Sequence, residues 1–347
     1  VADRDVTGAF LPDRDREEGA LRPKRLNDFI GHDRLRENLS VFVSAARQRG
    51  ESLDHVFLSG PPGLGKTTLA AILANEMGVE FLGTSAPALE KTGDLVAILT
   101  HIGERNVFFI DEIHRLRPPV EELLYTAMED NEIDVVVGQG PGARTIKIPL
   151  PPFTLVGATT KTGLVSGPLH SRFGITTRLD YYQPREIAAI VRRTAGILET
   201  ELDGGAVRLL AQCSRGTPRV ANRLVRRMRD FAQVWGDGAI SLPIVERGLN
   251  ALEVDGSGLD KLDREILNTI ISKYDGGPVG SETLAITISE AVDTLEDVYE
   301  PYLIQRGFLQ RTARGRVATP LAYEHLGLPL AGGPSRKGAD ADQQVLF

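Results

Sequence analysis

The chain has 347 residues, a formal net charge of −7, 41% apolar and 25% charged residues. Those are ordinary values for a globular protein of two or three domains, and the acidic balance excludes wholesale coating of nucleic acid by bulk charge. A single cysteine, Cys213, excludes an internal disulfide framework and fits a reducing compartment. No apolar run approaches membrane-spanning length, and Val1–Gly19 lacks the apolar core of a signal peptide, so a cytoplasmic protein is expected. Segments 1–20 and 331–347 are polar, aperiodic and rich in Gly, Asp and Arg, a composition that predicts disorder.

After an irregular start through Leu21-Arg22-Pro23, a helix is predicted from Asp33, with Leu35, Leu39, Phe42 and Val43 on one face. Strands are expected at 55–59, 79–83, 106–110, 153–157 and 175–179, alternating with helical stretches. That alternation predicts an α/β fold with a doubly wound parallel sheet and a ligand at the carboxyl ends of its strands.

The first strand runs into Gly60-Pro-Pro-Gly-Leu-Gly-Lys-Thr-Thr68 and then a helix. Glycines such as Gly63 and Gly65 let backbone N–H groups curl around a polyphosphate, and the helix N-terminus adds unpaired donors. In this context Lys66 reaches the outer phosphates, and Thr67, with Thr68 beside it, supplies a hydroxyl to Mg²⁺. The third strand ends in Asp111-Glu112. Asp111 can hold the Mg²⁺ through water while Glu112 polarises an attacking water, a pairing suited to hydrolysis of a nucleoside triphosphate.

Two segments interrupt the alternation. Apolar runs at 132–137 and 145–148 flank Gly138-Gln139-Gly140-Pro141-Gly142, predicting an inserted hairpin at about 132–148 that either packs on its own sheet or docks a partner. Pro168 to Gly174 forms a turn that presents Arg172 before the last strand. A helical region opens at Pro184, and Arg215-Gly-Thr-Pro-Arg219 interrupts it, placing Arg219 at the start of a helix over 218–234. Asp255-Gly-Ser-Gly258 reads as a linker. Helices at 259–274, 281–288 and 293–306 and short strands at 308–312 and 316–319 then predict a winged helix-turn-helix, a duplex-binding unit. From Pro301 to Tyr323 there is no acid, but Arg306, Arg311, Arg314 and Arg316 are present.

These strings resemble the AAA+ ATPases and, within them, the RuvB family of bacterial Holliday-junction branch-migration motors. The matching strings include Phe109-Ile-Asp-Glu-Ile-His-Arg-Leu116, Leu123-Leu-Tyr-Thr-Ala-Met-Glu-Asp130, Phe153-Thr-Leu-Val-Gly-Ala-Thr-Thr160 and Ser214-Arg-Gly-Thr-Pro-Arg219. Gly307-Phe-Leu-Gln-Arg-Thr312 with Gly315-Arg-Val-Ala-Thr-Pro320 extends the match towards the C-terminus. The resemblance implies an ATPase domain over 21–183, a helical lid over 184–254 and a winged-helix domain over 255–330. It assigns Thr160 to the sensor-1 position, Arg172 to an arginine finger acting on a neighbouring subunit, and Arg219 to the sensor-2 position. It also assigns Leu21, Arg22, Glu129, Asp130, Asn131 and Tyr182 to the nucleotide.

The resemblance further implies a homo-hexamer, docking of RuvA on the hairpin through Ile133, Val135, Ile146 and Ile148, and DNA contact through Arg311 and Arg316. RuvC is the resolving partner that it implies. His170 stands where the family usually has a second arginine. A clamp-loader-type ATPase and a nucleotide-gated DNA-binding regulator are the rival readings. The hairpin and the winged-helix segments disfavour the first, and Glu112 together with Arg172 disfavours the second.

Overall fold

The computed structural model describes residue 19, residues 21–137 and residues 144–330. The segments expected to be disordered, Gly19 aside, and the hairpin tip at 138–142 lie outside those residues. The chain divides into two compact units, Val1–Val245 and Glu246–Phe347.

In the first unit, α1 (Asp33–Arg49) precedes β1 (Val56–Ser59), which feeds α2 (Lys66–Met77). Next come β2 (Phe81–Ser85), α3 (Thr92–Leu99), β3 (Val107–Asp111) and α4 (Pro118–Glu129). A hairpin of β4 (Glu132–Val137) and β5 (Arg144–Pro149) leads to β6 (Thr154–Thr159) and β7 (Ile175–Arg178). Strands β2-β3-β6-β1-β7 form one sheet in that order, every pair parallel. All of β1 and β6 is buried, as a parallel sheet covered on both faces requires. The order places β6 between the strand that feeds the phosphate turn and the strand that ends in Asp111. Three candidate groups therefore converge at neighbouring carboxyl ends.

The hairpin pairs Ile133 with Ile148 and Val135 with Ile146 across its antiparallel ladder. Expected as a partner-facing set, these four divide instead. Ile133 is fully buried, and Val135 and Ile148 pack against the apolar cluster that contains Leu123 and Leu124 of α4. The chain's own core therefore occupies those three. Ile146, nearer the tip, keeps 50% of its surface exposed.

Three helices complete this unit: α5 (Pro184–Ile197), α6 (Gly204–Cys213) and α7 (Pro218–Trp235). The carboxylate of Glu186 accepts the backbone N–H of Gln183 and fixes the start of α5. Helix α8 (Leu242–Ala251) spans the division between the units.

The second unit holds α9 (Lys261–Lys273), α10 (Ser281–Thr287), α11 (Glu300–Gln305), β8 (Leu309–Thr312), β9 (Gly315–Ala318) and α12 (Pro320–Leu326). The helix expected over 293–306 is not uniform: residues Leu295–Tyr299 wind as a π-helix before α11 begins. Val279 bridges Arg316 in antiparallel fashion, so β8 and β9 gain a third strand-like edge. Leu267, Ile270, Leu284, Leu303 and Leu309 fill this unit's own core.

Candidate functional site

The phosphate turn is shaped by what glycine alone allows. Gly60 has φ of +133°, and a Cβ there would lie 2.2 Å from the Leu179 carbonyl oxygen. At Gly63, with φ of +79°, a Cβ would approach Cβ of Arg219 to 3.2 Å. The Lys66 ammonium, 7% exposed, donates to the carbonyls of Gly60 at 2.7 Å and Pro61 at 2.9 Å. Burial pulls its pKa down to about 8, against the opposing pull of Asp111 and Glu112. A polyphosphate would add negative charge beside this buried cation, which the Gly60 and Pro61 carbonyls hold in place.

Asp111 ends β3 with its carboxyl pushed up by burial, although the Glu112 N–H and Lys66 oppose the shift. Its Oδ1 accepts the Glu112 N–H at 2.9 Å. Glu112 itself is left-handed, with φ of 51°, a conformation costing a non-glycine residue about 1–2 kcal/mol. Its carboxylate pairs with Arg115 at 2.9 Å. Thr160 follows the last residue of β6, and Thr159 Oγ1 lies 2.9 Å from Nδ1 of His114. That bond ties the acidic turn to the strand that carries Thr160.

A second wall completes the cleft. Leu21, Arg22, Gly65, Thr68, Tyr182 and Asn222 line it. The Tyr182 hydroxyl donates to the Leu64 carbonyl at 3.2 Å, its N–H donates to the Gly216 carbonyl at 2.9 Å, and the His32 ring meets it edge-on at 4.8 Å. The Arg219 N–H reaches towards the Gly63 carbonyl at 3.4 Å. Sheet, N-terminal segment and helical lid thus surround one turn. A glycine cradle that a Cβ would fill, a buried cation and the hard oxygen donors of Thr67 and Asp111 fit a nucleoside triphosphate with Mg²⁺. That ion typically takes few protein ligands, and no cluster of three His, Cys, Asp or Glu is found among the described residues. Bound there, Mg²⁺ would neutralise phosphate charge.

Arg172 is not part of this cleft in the free chain. Its Nη1 donates to the Pro168 carbonyl at 2.7 Å, its Nη2 lies 2.9 Å from Glu129, and its guanidinium sits 4.5 Å over the Tyr125 ring. Tyr125 in turn bonds Glu121 and Ser166. Asp130 and Asn131 follow Glu129 at the end of α4, with Asn131 left-handed at φ of 50°.

In the wing, Arg311 and Arg316 face each other across the β8–β9 ladder. Arg311 is exposed, its side chain 52% accessible. Arg316, expected to contact phosphate, is buried in the free chain: its side chain is 8% exposed. It donates to Glu300 at 2.6 and 3.2 Å and to Glu296 at 2.6 Å. The acid-free stretch is therefore not acid-free in space, because Glu296 of the π-helical turn and Glu300 at the start of α11 bring two carboxylates to it.

Three family descriptions match consecutive parts of the chain. The description "Holliday junction DNA helicase RuvB P-loop domain" matches residues 21–179, "RuvB AAA lid domain" matches 182–255, and "RuvB C-terminal winged helix domain" matches 256–327. The chain belongs to the RuvB family. The Holliday junction branch migration complex subunit RuvB of Treponema denticola is 64% identical over 314 residues, covering 90% of this chain and 92% of that one. The corresponding subunit of Rubrobacter xylanophilus is 57% identical over 339 residues, covering 95% and 96%. The solved Thermotoga maritima RuvB branch-migration motor is 49% identical, with a TM-score of 0.82 over 89% of this chain and 99% of that one.

Three contributors to the site in this RuvB-family chain escape a reading of local motifs. Tyr125 carries Arg172 on its ring, His114 braces Thr159, and Arg193 donates to the Leu21 carbonyl at 2.7 Å. His114 was the one open to detection, since it sits two residues beyond the acidic pair.

Proposed function

We infer that the chain is an ATP-driven DNA motor that moves the branch point of Holliday junctions in recombination and repair. It works as a homo-hexameric ring with RuvA, which recognises the junction. The caged Lys66 ammonium beside Asp111 and Glu112 at the ends of neighbouring parallel strands carries the hydrolytic part of this reading. In it, Lys66 binds the β- and γ-phosphates, Thr67 and Asp111 hold Mg²⁺, and Glu112 orients the attacking water. Thr160 and Arg219 sense the phosphate from strand and lid.

Arg172 acts on the nucleotide of the adjacent subunit, alongside Glu129 to Asn131. Ile146 offers apolar surface to RuvA, and Arg311 offers charge to the DNA backbone. Contact with phosphates rather than base edges suits a motor that must grip any sequence. Among the described residues no helix is long and apolar enough to cross a membrane. Work on chromosomal DNA sets the protein in the cytoplasm.

Migration of a synthetic four-way junction, with ATP and with or without RuvA, tests the reading. ATP- and RuvA-dependent strand exchange is expected. ATP hydrolysis that never moves the junction would leave a nucleotide-gated DNA binder instead.

A further inference from the structure

Two arginines directly opposite on an antiparallel ladder repel one another unless something neutralises them. The winged unit meets this by aiming Glu296 and Glu300 at the Arg311–Arg316 pair. The four groups are not equivalent. Glu300 is 1% exposed and takes Arg316 through both of its oxygens, at 2.6 and 3.2 Å. Glu296 is 26% exposed, and its Oε1 is shared by Arg316 at 2.6 Å and Arg311 at 2.8 Å. Arg311 reaches Glu300 only at 3.8 Å. Burial opposes ionisation of Glu296, yet the two guanidiniums outweigh it and hold that carboxyl below its ordinary range.

We propose that Glu296 is a resident competitor for DNA phosphate. It holds Arg311 in an internal ion pair in the free protein, and Arg311 exchanges that carboxylate for a backbone phosphate when the wing engages duplex DNA. Arg316 stays on Glu300 in the free protein and acts as a positioning residue that anchors β9. Two features favour this division. The Arg316 backbone is bonded in both directions to Val279, at 2.8 and 3.0 Å, so its strand is pinned as well as its side chain. Arg311 has neither a backbone tie to Val279 nor a buried side chain, and its partner is accessible enough to be displaced. No bond is made or broken beyond the exchange of one ion pair for another. The internal pair lowers the net charge the wing shows to DNA and lets go only where a phosphate takes its place, which suits a motor that must release the backbone at every step.

The proposal rests on the reading that the wing touches DNA, and a double-mutant cycle in the full-length chain separates the two. Duplex affinity is measured against salt for the wild type, Arg311→Ala, Glu296→Gln and the double variant. Arg311→Ala is expected to weaken binding and reduce the magnitude of the salt slope by about 1. Glu296→Gln keeps an acceptor for Arg316 and is expected to tighten binding by about two- to fivefold, the size of an exposed ion pair that no longer has to break. In the Arg311→Ala background the same change should gain nothing, whereas a general effect of one fewer negative charge would persist there.

If Arg311→Ala changes neither affinity nor slope, the wing is not the DNA contact, and the exchange fails with it. If Arg311→Ala weakens binding but Glu296→Gln leaves affinity unchanged, or tightens it equally in both backgrounds, the exchange alone is overturned and the wing reading stands. Should Glu296→Gln fail to fold, Glu296→Ala repeats the cycle, assayed below its own Tm. Arg311 is released there too, so the same gain, confined to the background that keeps Arg311, is expected.

Discussion

Arg172 and Glu129 meet as an ion pair at 2.9 Å, although one follows the helical turn Gly167–His170 and the other closes α4. With the Tyr125 ring on its face, the guanidinium is held without any partner from the phosphate turn of its own chain. On the proposed reading, this guanidinium serves the nucleotide of the adjacent subunit. Arg172→Ala is expected to cost about 10³–10⁵ in turnover. Mixing Arg172→Ala subunits with Glu112→Gln subunits should restore part of it, because some interfaces then combine an intact Glu112 with an intact Arg172. Mixed rings of demonstrated composition that recover no hydrolysis would contradict a site shared between subunits.

Glu112→Gln on its own should separate binding from chemistry. Asp111 and Lys66 remain, so ATP affinity is expected to hold, while loss of the group that orients water should lower turnover by about 10²–10⁴. Equilibrium binding of a fluorescent ATP analogue and single-turnover hydrolysis measure the two sides. Undiminished turnover would move water activation to another residue.

Lys66 makes nucleotide binding depend on pH. Burial depresses the ammonium to about pKa 8 in the free chain, whereas bound phosphates favour its charged form and raise that value. Binding above pH 8 must therefore take up a proton. Apparent ATP affinity should be nearly flat below pH 7 and about tenfold weaker at pH 9. Calorimetry in buffers of different ionisation enthalpy reads the uptake directly. Affinity that is independent of pH from 7 to 9 would mean that Lys66 stays charged throughout.

Much of this architecture was legible because its signals are local. Strands β1, β3 and β6 are short, mostly apolar runs, and the observed boundaries of all five sheet strands fall within two residues of those expected. The phosphate turn, Asp111 and Glu112 carry their chemistry in consecutive residues. The hairpin was ambiguous because period-2 alternation is the same whether the apolar face meets the chain's own helix or another protein. The partners of Arg316 were hidden for a related reason. Its acids, Glu296 and Glu300, precede the acid-free stretch in sequence, and only the π-helical winding shows that they return to it.

The hairpin division gives a paired test. Ile146→Asp changes an exposed residue and is expected to weaken RuvA binding with little change in Tm. Ile133→Asp places a carboxylate in a fully buried position, so loss of fold is expected first. Ile148→Asp should also lower Tm because Ile148 packs on the core, making any loss of RuvA binding there uninformative. Full RuvA affinity in a folded Ile146→Asp protein would direct docking elsewhere.

Arg316→Ala should act on stability before it acts on DNA. The substitution strands the Glu300 carboxylate, 1% exposed, without its bidentate partner. Removing one member of a buried pair costs about 3–5 kcal/mol, chiefly because the remaining charge is neither hydrated nor paired. Replacing both members with apolar groups of similar volume, as in Arg316→Met with Glu300→Leu, should recover most of that loss, since a buried pair of this kind adds little net stability over good packing. Urea denaturation of the full chain, followed by the circular dichroism of its helices, compares the three proteins. The double variant also keeps Arg311, so its DNA salt slope should match the wild type. If Arg316→Ala instead unfolds within about 0.5 kcal/mol of the wild type, as surface substitutions do, and its salt slope falls by about 1, Arg316 faces phosphate after all.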